Sequence, residues 1–199
     1  RIVDESFAHI IGFIQPGMTE REVAAELEHR MRTLGSERPA FQTIIASGVR
    51  GSLPHGVASD KIIARGELVT MDFGAVWEGY CSDITRTICV GRADTRQREL
   101  YAAVLAAQQR ALAAICPGVT GAEVDRIARD ALAEKALDQY FGHGLGHSLG
   151  LEIHEEPRLS KSCPVALQEN MLITDEPGIY IPGWGGIRIE DTVLITHDG

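Results

Sequence analysis

LVTMDFGAVWEGYCSDITRTICV, residues 68–90, consists of two β-branched and aromatic runs joined through Trp77-Glu78-Gly79, and predicts an antiparallel hairpin. A turn centred between Trp77 and Glu78 sets Asp72 directly opposite Asp83. Opposed side chains hold their Cβ atoms roughly 4.5–5.5 Å apart, so two like charges there destabilise the hairpin unless something positive lies between them. The same figure recurs in ITDEPGIYIPGWGGIRIEDTVLIT, residues 173–196, where a turn centred on Gly183 sets Glu176 opposite Glu190. Acids near glycine turns are ordinarily solvated. Both pairs, however, sit among Leu68, Val69, Met71, Phe73, Ile187, Ile189, Val193 and Leu194, where an unpaired charge is costly and a metal ion is a remedy.

Working outward, QPGMTEREV at 15–23 and CPGVTGAEV at 116–124 match in register, so half of the chain echoes the other half. In each copy Pro-Gly ends an apolar helix pattern (residues 2–14 and 96–115). Thr19 or Thr120 then supplies an N-cap, with Glu22 or Glu123 as its capping-box partner. Second helices follow over Glu20–Leu34 and Ala122–Lys135, with apolar faces of Val23, Leu27 and Met31 and of Val124, Ile127, Ala128 and Leu132. Each half then enters β-rich sequence ending in a carboxylate hairpin. The expected fold is α+β: two αα-ββ halves about an approximate two-fold axis, with the hairpins meeting at the centre.

FGHGLGHSLGLEIHEEP, residues 141–157, places His143, His147 and His154 between the two hairpins, three of the chain's seven histidines. The glycines argue against a helix. On an extended strand His143 and His147 share a face, and His154 joins them only if the backbone kinks. One imidazole with four carboxylates is an oxygen-rich set that suits Mn²⁺, Fe²⁺ or Co²⁺ better than a structural zinc. Two such ions polarise a carbonyl and activate a water, so hydrolysis is the expected chemistry. His55 lies in SGVRGSLPHGVAS, a loop in which an isolated histidine is ordinarily a surface residue. His9, His29 and His197 are assigned no role.

Length 199 and 44% hydrophobic content predict one globular unit, and a net charge of −9 disfavours nucleic acid or an anionic membrane as partner. The apolar stretches are strand-sized, short of the roughly 20 residues of a bilayer-spanning helix. Cys81, Cys89, Cys116 and Cys163 lack a Cys-x-x-Cys spacing and are expected as reduced, partly buried thiols of a cytoplasmic protein. The chain begins at Arg1 inside a helix pattern and ends at the turn signal Thr196-His197-Asp198-Gly199, so both ends are expected to be cut edges.

These residues together resemble the pita-bread metallopeptidases, and within them the Xaa-Pro aminopeptidases and prolidases, over essentially the whole chain. The resemblance implies a dinuclear centre held by Asp72, Asp83, His147, Glu176 and Glu190, with Asp83 and Glu190 bridging the ions, Asp72 chelating one, and His147 with Glu176 completing the other. It places His55 and His154 beside the substrate. His143 matches an additional histidine, and Arg188 an arginine behind the ligands, of the proline-specific branch. It implies a peptidase that cleaves the N-terminal Xaa-Pro bond of dipeptides or short peptides. Manganese is the first expected metal, before cobalt, iron or zinc, and Glu176 relays the proton while His154 and His55 stabilise the tetrahedral species.

GYCSDITRT and EPGIYIPGWGGIRIED favour proline specificity over a methionine aminopeptidase. A non-catalytic peptide-binding module and a creatinase-like hydrolase share the same fold, and both are expected to lose ligands that this chain keeps. Two departures stand out. Ser148 occupies a place where glycine is common. The N-terminal domain usual in the proline-specific branch is expected to be missing from these residues, so 1–199 read as the catalytic domain alone. The resemblance leaves room for a homodimer.

Overall fold

The computed structural model describes residues 1–197; Asp198 and Gly199, the last part of the C-terminal turn signal, lie outside the described residues. The first half runs through α1 (Ile2–Phe13), α2 (Glu20–Thr33), β1 (Arg38–Pro39), β2 (Ile44–Ser47), β3 (Leu68–Phe73), β4 (Ala75–Trp77), β5 (Tyr80–Cys81) and β6 (Ile84–Cys89). The second runs through α3 (Thr95–Leu112), α4 (Gly121–Ala133), β7 (Gly146–Ser148), β8 (Glu155–Leu159), β9 (Leu172–Asp175), β10 (Gly178–Ile181), β11 (Gly185–Arg188) and β12 (Asp191–Leu194). This is the expected mixture of paired helices and antiparallel sheet, the pita-bread fold.

The duplication holds at the level of individual hydrogen bonds. Thr19 and Thr120 each close a capping box with Glu22 and Glu123, so two orphan amides per helix start are satisfied reciprocally. The Pro-Gly turns dock in the same way: Gly17 N donates to Ile63 O and Ile63 N to Met18 O, while Gly118 N donates to Leu167 O and Leu167 N to Val119 O. Each half closes over its own core. Val23, Leu27 and Met31 of α2 pack with Ile45, Val69, Met71 and Phe73, and Val124, Ala128 and Leu132 of α4 pack with Leu145, Leu159, Ile173 and Ile187. Each fully buried Val, Leu, Ile, Met or Phe among these contributes about 1.5–3 kcal/mol. The halves join where β6 meets β11: Glu190 N donates to Thr85 O (3.1 Å), and Thr87 Oγ1 donates to Arg188 O (2.9 Å).

The register of the second hairpin is the expected one. Gly178 pairs with Arg188 on one side and Asp175 with Asp191 on the other, which leaves Glu176 and Glu190 at the same level. In the first hairpin the turn centre differs by one residue and the pairing by two. Trp77 pairs with Tyr80, so the turn is centred between Glu78 and Gly79, and Asp72 faces Thr85 rather than Asp83. The physical reason is the twist of a two-residue turn, which needs left-handed backbone at both central residues. Gly79 (φ 81°) meets that need directly, and Glu78 (φ 50°) accompanies it. Asp83 therefore sits diagonally from Asp72, in the break between β5 and β6.

The histidine segment is less regular than a single strand. Only 146–148 and 155–159 are extended, with a register shift between His147 and Ser148. Gly146 is obligatory there, since a Cβ would lie 2.0 Å from Thr174 O. Ser148 is accommodated, its hydroxyl donating to Pro157 O at 2.9 Å. The four cysteines are free, but not uniformly half-buried as expected: Cys81 and Cys163 are buried, Cys89 is intermediate and Cys116 is exposed. Cys116 is exposed because it stands at the Pro-Gly turn, outside the core. Among the described residues no helix is long and apolar enough to cross a membrane.

Candidate metal centre

All five ligand candidates line one cavity of about 640 Å³ between the halves, together with His55, His143, His154 and Arg188. Ligand-capable atoms of Asp83, His147 and Glu190 lie within 4.8 Å of one another. His147 Nε2 stands 3.4 Å from Glu176 Oε1 and 3.6 Å from Asp83 Oδ2. Its other nitrogen, Nδ1, faces Ser148 O at 3.0 Å and must donate there. That assignment leaves Nε2 as a lone pair aimed at carboxylate oxygens. Burial first, and then the neighbouring cations, lower the His147 pKa to about 4, so the ring is neutral at pH 7. A lone pair facing ionised carboxylates is repulsive, and a cation or a carboxyl proton among them relieves it.

The carboxylates carry the same message. Asp72 Oδ1, Asp83 Oδ1 and Glu190 Oε1 are buried with no hydrogen-bond partner among the described residues. Burial, reinforced by the neighbouring acids, raises the Asp83 and Glu190 carboxyls well above their ordinary range; burial likewise raises Glu176. The remaining oxygens are held. Thr85 Oγ1 donates to Glu190 Oε2 (2.6 Å), Thr174 Oγ1 donates to Glu176 Oε1 (3.1 Å), and Arg188 Nη2 donates to Asp72 Oδ2 (2.5 Å). Such outer hydrogen bonds orient ligands and leave their free lone pairs for a metal. The donor set thus fits divalent cations.

The other histidines divide in two. His55 and His154 are exposed at the cavity mouth, and the His154 ring packs edge-on against the His147 ring with centroids 4.5 Å apart. His154 reaches that position through the register shift and the irregular backbone after Ser148. His143 is turned inward. Its Nδ1 faces Gly144 O (2.7 Å) and its Nε2 meets the Tyr180 hydroxyl (2.8 Å), which also accepts from Arg188 Nη1 (2.7 Å). Both ring nitrogens are engaged within the protein, and burial lowers its pKa to about 4.

Tyr180, Thr85 and Thr174 are functional neighbours that the sequence does not single out. A signal exists for Tyr180, because the 178–188 register puts it diagonally beside Arg188 on one face. Thr85 and Thr174 carry none, since strand threonines are ordinary.

Asp175 is a separate case. It is fully buried, and neither carboxylate oxygen has a partner among the described residues. Burial first, then Asp191 and Glu176, push its pKa up to about 8. A raised folded-state pKa means that the folded chain keeps a proton the unfolded chain has released. Its contribution to stability is whole below the ordinary aspartate value of about 3.9 and is lost as pH rises through about 8. In the metal-free protein Asp175→Asn is expected to match the original at low pH. It should then gain on it by up to about 1.4 kcal/mol per pH unit across that window. Urea melts at successive pH values check this; a constant difference would show Asp175 ionised throughout.

The profile of metallopeptidase family M24 matches residues 1–197. The chain is 56% identical over 198 residues to the Xaa-Pro dipeptidase of Pyrococcus furiosus, covering 100% of this chain and 57% of that protein. Among solved structures it superposes on an Xaa-Pro dipeptidase from Bacillus anthracis with a TM-score of 0.98 at 52% identity, covering 100% of this chain and 56% of that one. The X-Pro aminopeptidase from Thermotoga maritima gives 0.97 at 47% identity, with 100% and 56% covered. The chain therefore spans little more than half the length of the relatives it matches.

Proposed function

This chain belongs to metallopeptidase family M24, and we propose that the protein is a dinuclear-metal peptidase cleaving the Xaa-Pro bond of dipeptides or short peptides. The carrying observation is the set of orphaned carboxylate oxygens converging with a neutral imidazole lone pair in one cavity. Asp72, Asp83, His147, Glu176 and Glu190 would hold two divalent ions, manganese first, then cobalt, iron or zinc. Bound there, the ions would polarise the scissile carbonyl and make a nucleophile available at neutral pH.

The chain's own residues do the rest. Glu176, fixed by Thr174, moves a proton from the attacking water to the leaving nitrogen. His154 and His55 donate to the tetrahedral species from the mouth. Arg188 holds Asp72, and His143 holds Tyr180 against Arg188. Phe41, Val57 and Ile153 give the cavity an apolar wall suited to a pyrrolidine ring. Similarity to Xaa-Pro dipeptidases supports the same specificity. The unpaired cysteines suit a reducing cytoplasm, and the net charge of −9 counts against a polyanionic partner. A homodimer belongs to the proposal and is read by sedimentation.

The test is a panel of Xaa-Pro dipeptides, Xaa-Pro-Yaa tripeptides and Met-Ala-Ser, assayed with Mn²⁺, Co²⁺ and Zn²⁺ alongside elemental analysis. Hydrolysis before proline with about two ions per chain is the expected result. Preferential release of methionine would make the protein a methionine aminopeptidase. Less than about one ion per chain with no hydrolysis would leave a peptide-binding module.

A further inference from the structure

Each half buries a carboxylate on its second helix that no metal site uses, and each is tied to an arginine. We propose that Glu20 with Arg50, and Asp125 with Arg129, are positioning pairs that set the loops bearing His55 and His143. The consequence for turnover rests on the peptidase reading above; the consequence for the loops does not.

Glu20, at the start of α2, is fully buried. Its Oε1 accepts from Ser47 N and Ser47 Oγ, both at 2.8 Å, and its Oε2 from Ser59 N (3.1 Å), Ser59 Oγ (2.6 Å) and Arg50 Nη1. Arg50 Nη2 donates onward to Val57 O at 2.9 Å. One carboxylate thus pins residues 47 and 59, the two ends of the loop, and its arginine pins the middle. Inside that loop Pro54 O accepts from Arg188 Nη1 at 3.1 Å, and His55 enters the cavity.

Asp125, on α4, is also fully buried. It accepts from Arg129 Nε (2.7 Å), Arg129 Nη2 (3.0 Å) and Leu145 N (3.0 Å). Arg129 donates to Phe141 O at 2.8 Å and to His143 O, and stacks on the Phe141 ring at 4.2 Å. Residues 141–145 are held as a unit, with His143 at their centre and the ligand His147 two residues beyond.

The two pairs are not copies of each other. With Thr19 aligned on Thr120, Glu20 falls on Gly121 and Asp125 on Ala24. Gly121 admits no side chain, because a Cβ would lie 2.4 Å from Arg158 O. Halves that share helices, caps and turns have therefore buried their acids one helical turn apart, each where it reaches its own histidine loop. A buried ion pair is an inefficient stabiliser compared with apolar packing, and its use here is geometric.

Histidine-ring NMR of the full, metal-free chain tests this. Glu20→Gln is expected to displace the His55 resonance and leave that of His143; Asp125→Asn is expected to do the reverse. With Mn²⁺ at wild-type stoichiometry each lowers kcat on an Xaa-Pro dipeptide roughly 10- to 100-fold, with KM largely unchanged. If Glu20→Gln does not fold, Ser59→Ala removes one donor from the same carboxylate and gives the same one-sided shift. Arg129→Lys serves in the same way for Asp125→Asn. Resonances that stay in place, or that all move together in either series, overturn the proposal. A wild-type chain that cleaves no peptide but shows the crossed pattern would refute the peptidase reading and leave the positioning pairs standing.

Discussion

Replacing Glu176 by glutamine is expected to lower kcat on an Xaa-Pro dipeptide by roughly 10²–10⁴-fold, the range that a positioned proton-transfer group contributes. Glutamine keeps the shape, the hydrogen bond from Thr174 Oγ1 and the place opposite Glu190, but it takes up no proton. Alternatively its amide can put its NH₂ in the place of Oε1, 3.4 Å from His147 Nε2, giving up the acceptor for Thr174 Oγ1 and removing the acceptor-acceptor clash. The fold should therefore survive. Steady-state kinetics with metal content measured on the same sample check the claim. Activity lost with two ions retained identifies the proton relay; activity lost together with one ion identifies Glu176 as a ligand first. Near-normal turnover would end its assignment.

The second large effect concerns stability. Arg188 is 3% exposed and donates to Asp72, Tyr180, Thr85 and Pro54, so its guanidinium is the positive charge among several buried acids. Arg188→Met should cost the metal-free protein about 3–5 kcal/mol, because Asp72 is left buried without its counter-charge. Adding Asp72→Asn should recover part of that loss, since the orphaned charge is then gone. Urea melts of both single variants and the double variant close the cycle. With Mn²⁺ bound the cost of Arg188→Met should shrink, because a cation replaces the lost charge beside Asp72. A single-variant loss under about 1 kcal/mol, the scale of an exposed pair, would show that solvent reaches Asp72.

Much of this architecture is legible in the sequence. The capping boxes at Thr19 and Thr120 are local chemistry, read from four residues each, and they stand as expected. So does the register around Gly183. In the first hairpin the turn centre departs by one residue and the register by two, because Trp77-Glu78-Gly79 contains two candidate turn centres and only backbone handedness separates them. Glu20 and Asp125 are unreadable for a different reason: on a helix face an acid next to an apolar stripe looks solvated, and the backbone amides they hold are 27 and 20 residues away in sequence.

What the amino-acid order decides alone is whatever depends on neighbours: caps, strand periodicity, and, in the second hairpin, the level of Glu176 with Glu190. From these come the duplicated halves and the identity of the five candidate ligands. What only the tertiary structure decides is which lone pairs remain unsatisfied, which imidazoles are neutral, and which cations are buried beside which acids. Those properties follow from solvent exclusion and from distances between residues such as Arg188 and Asp72, 116 positions apart, and no local pattern carries them.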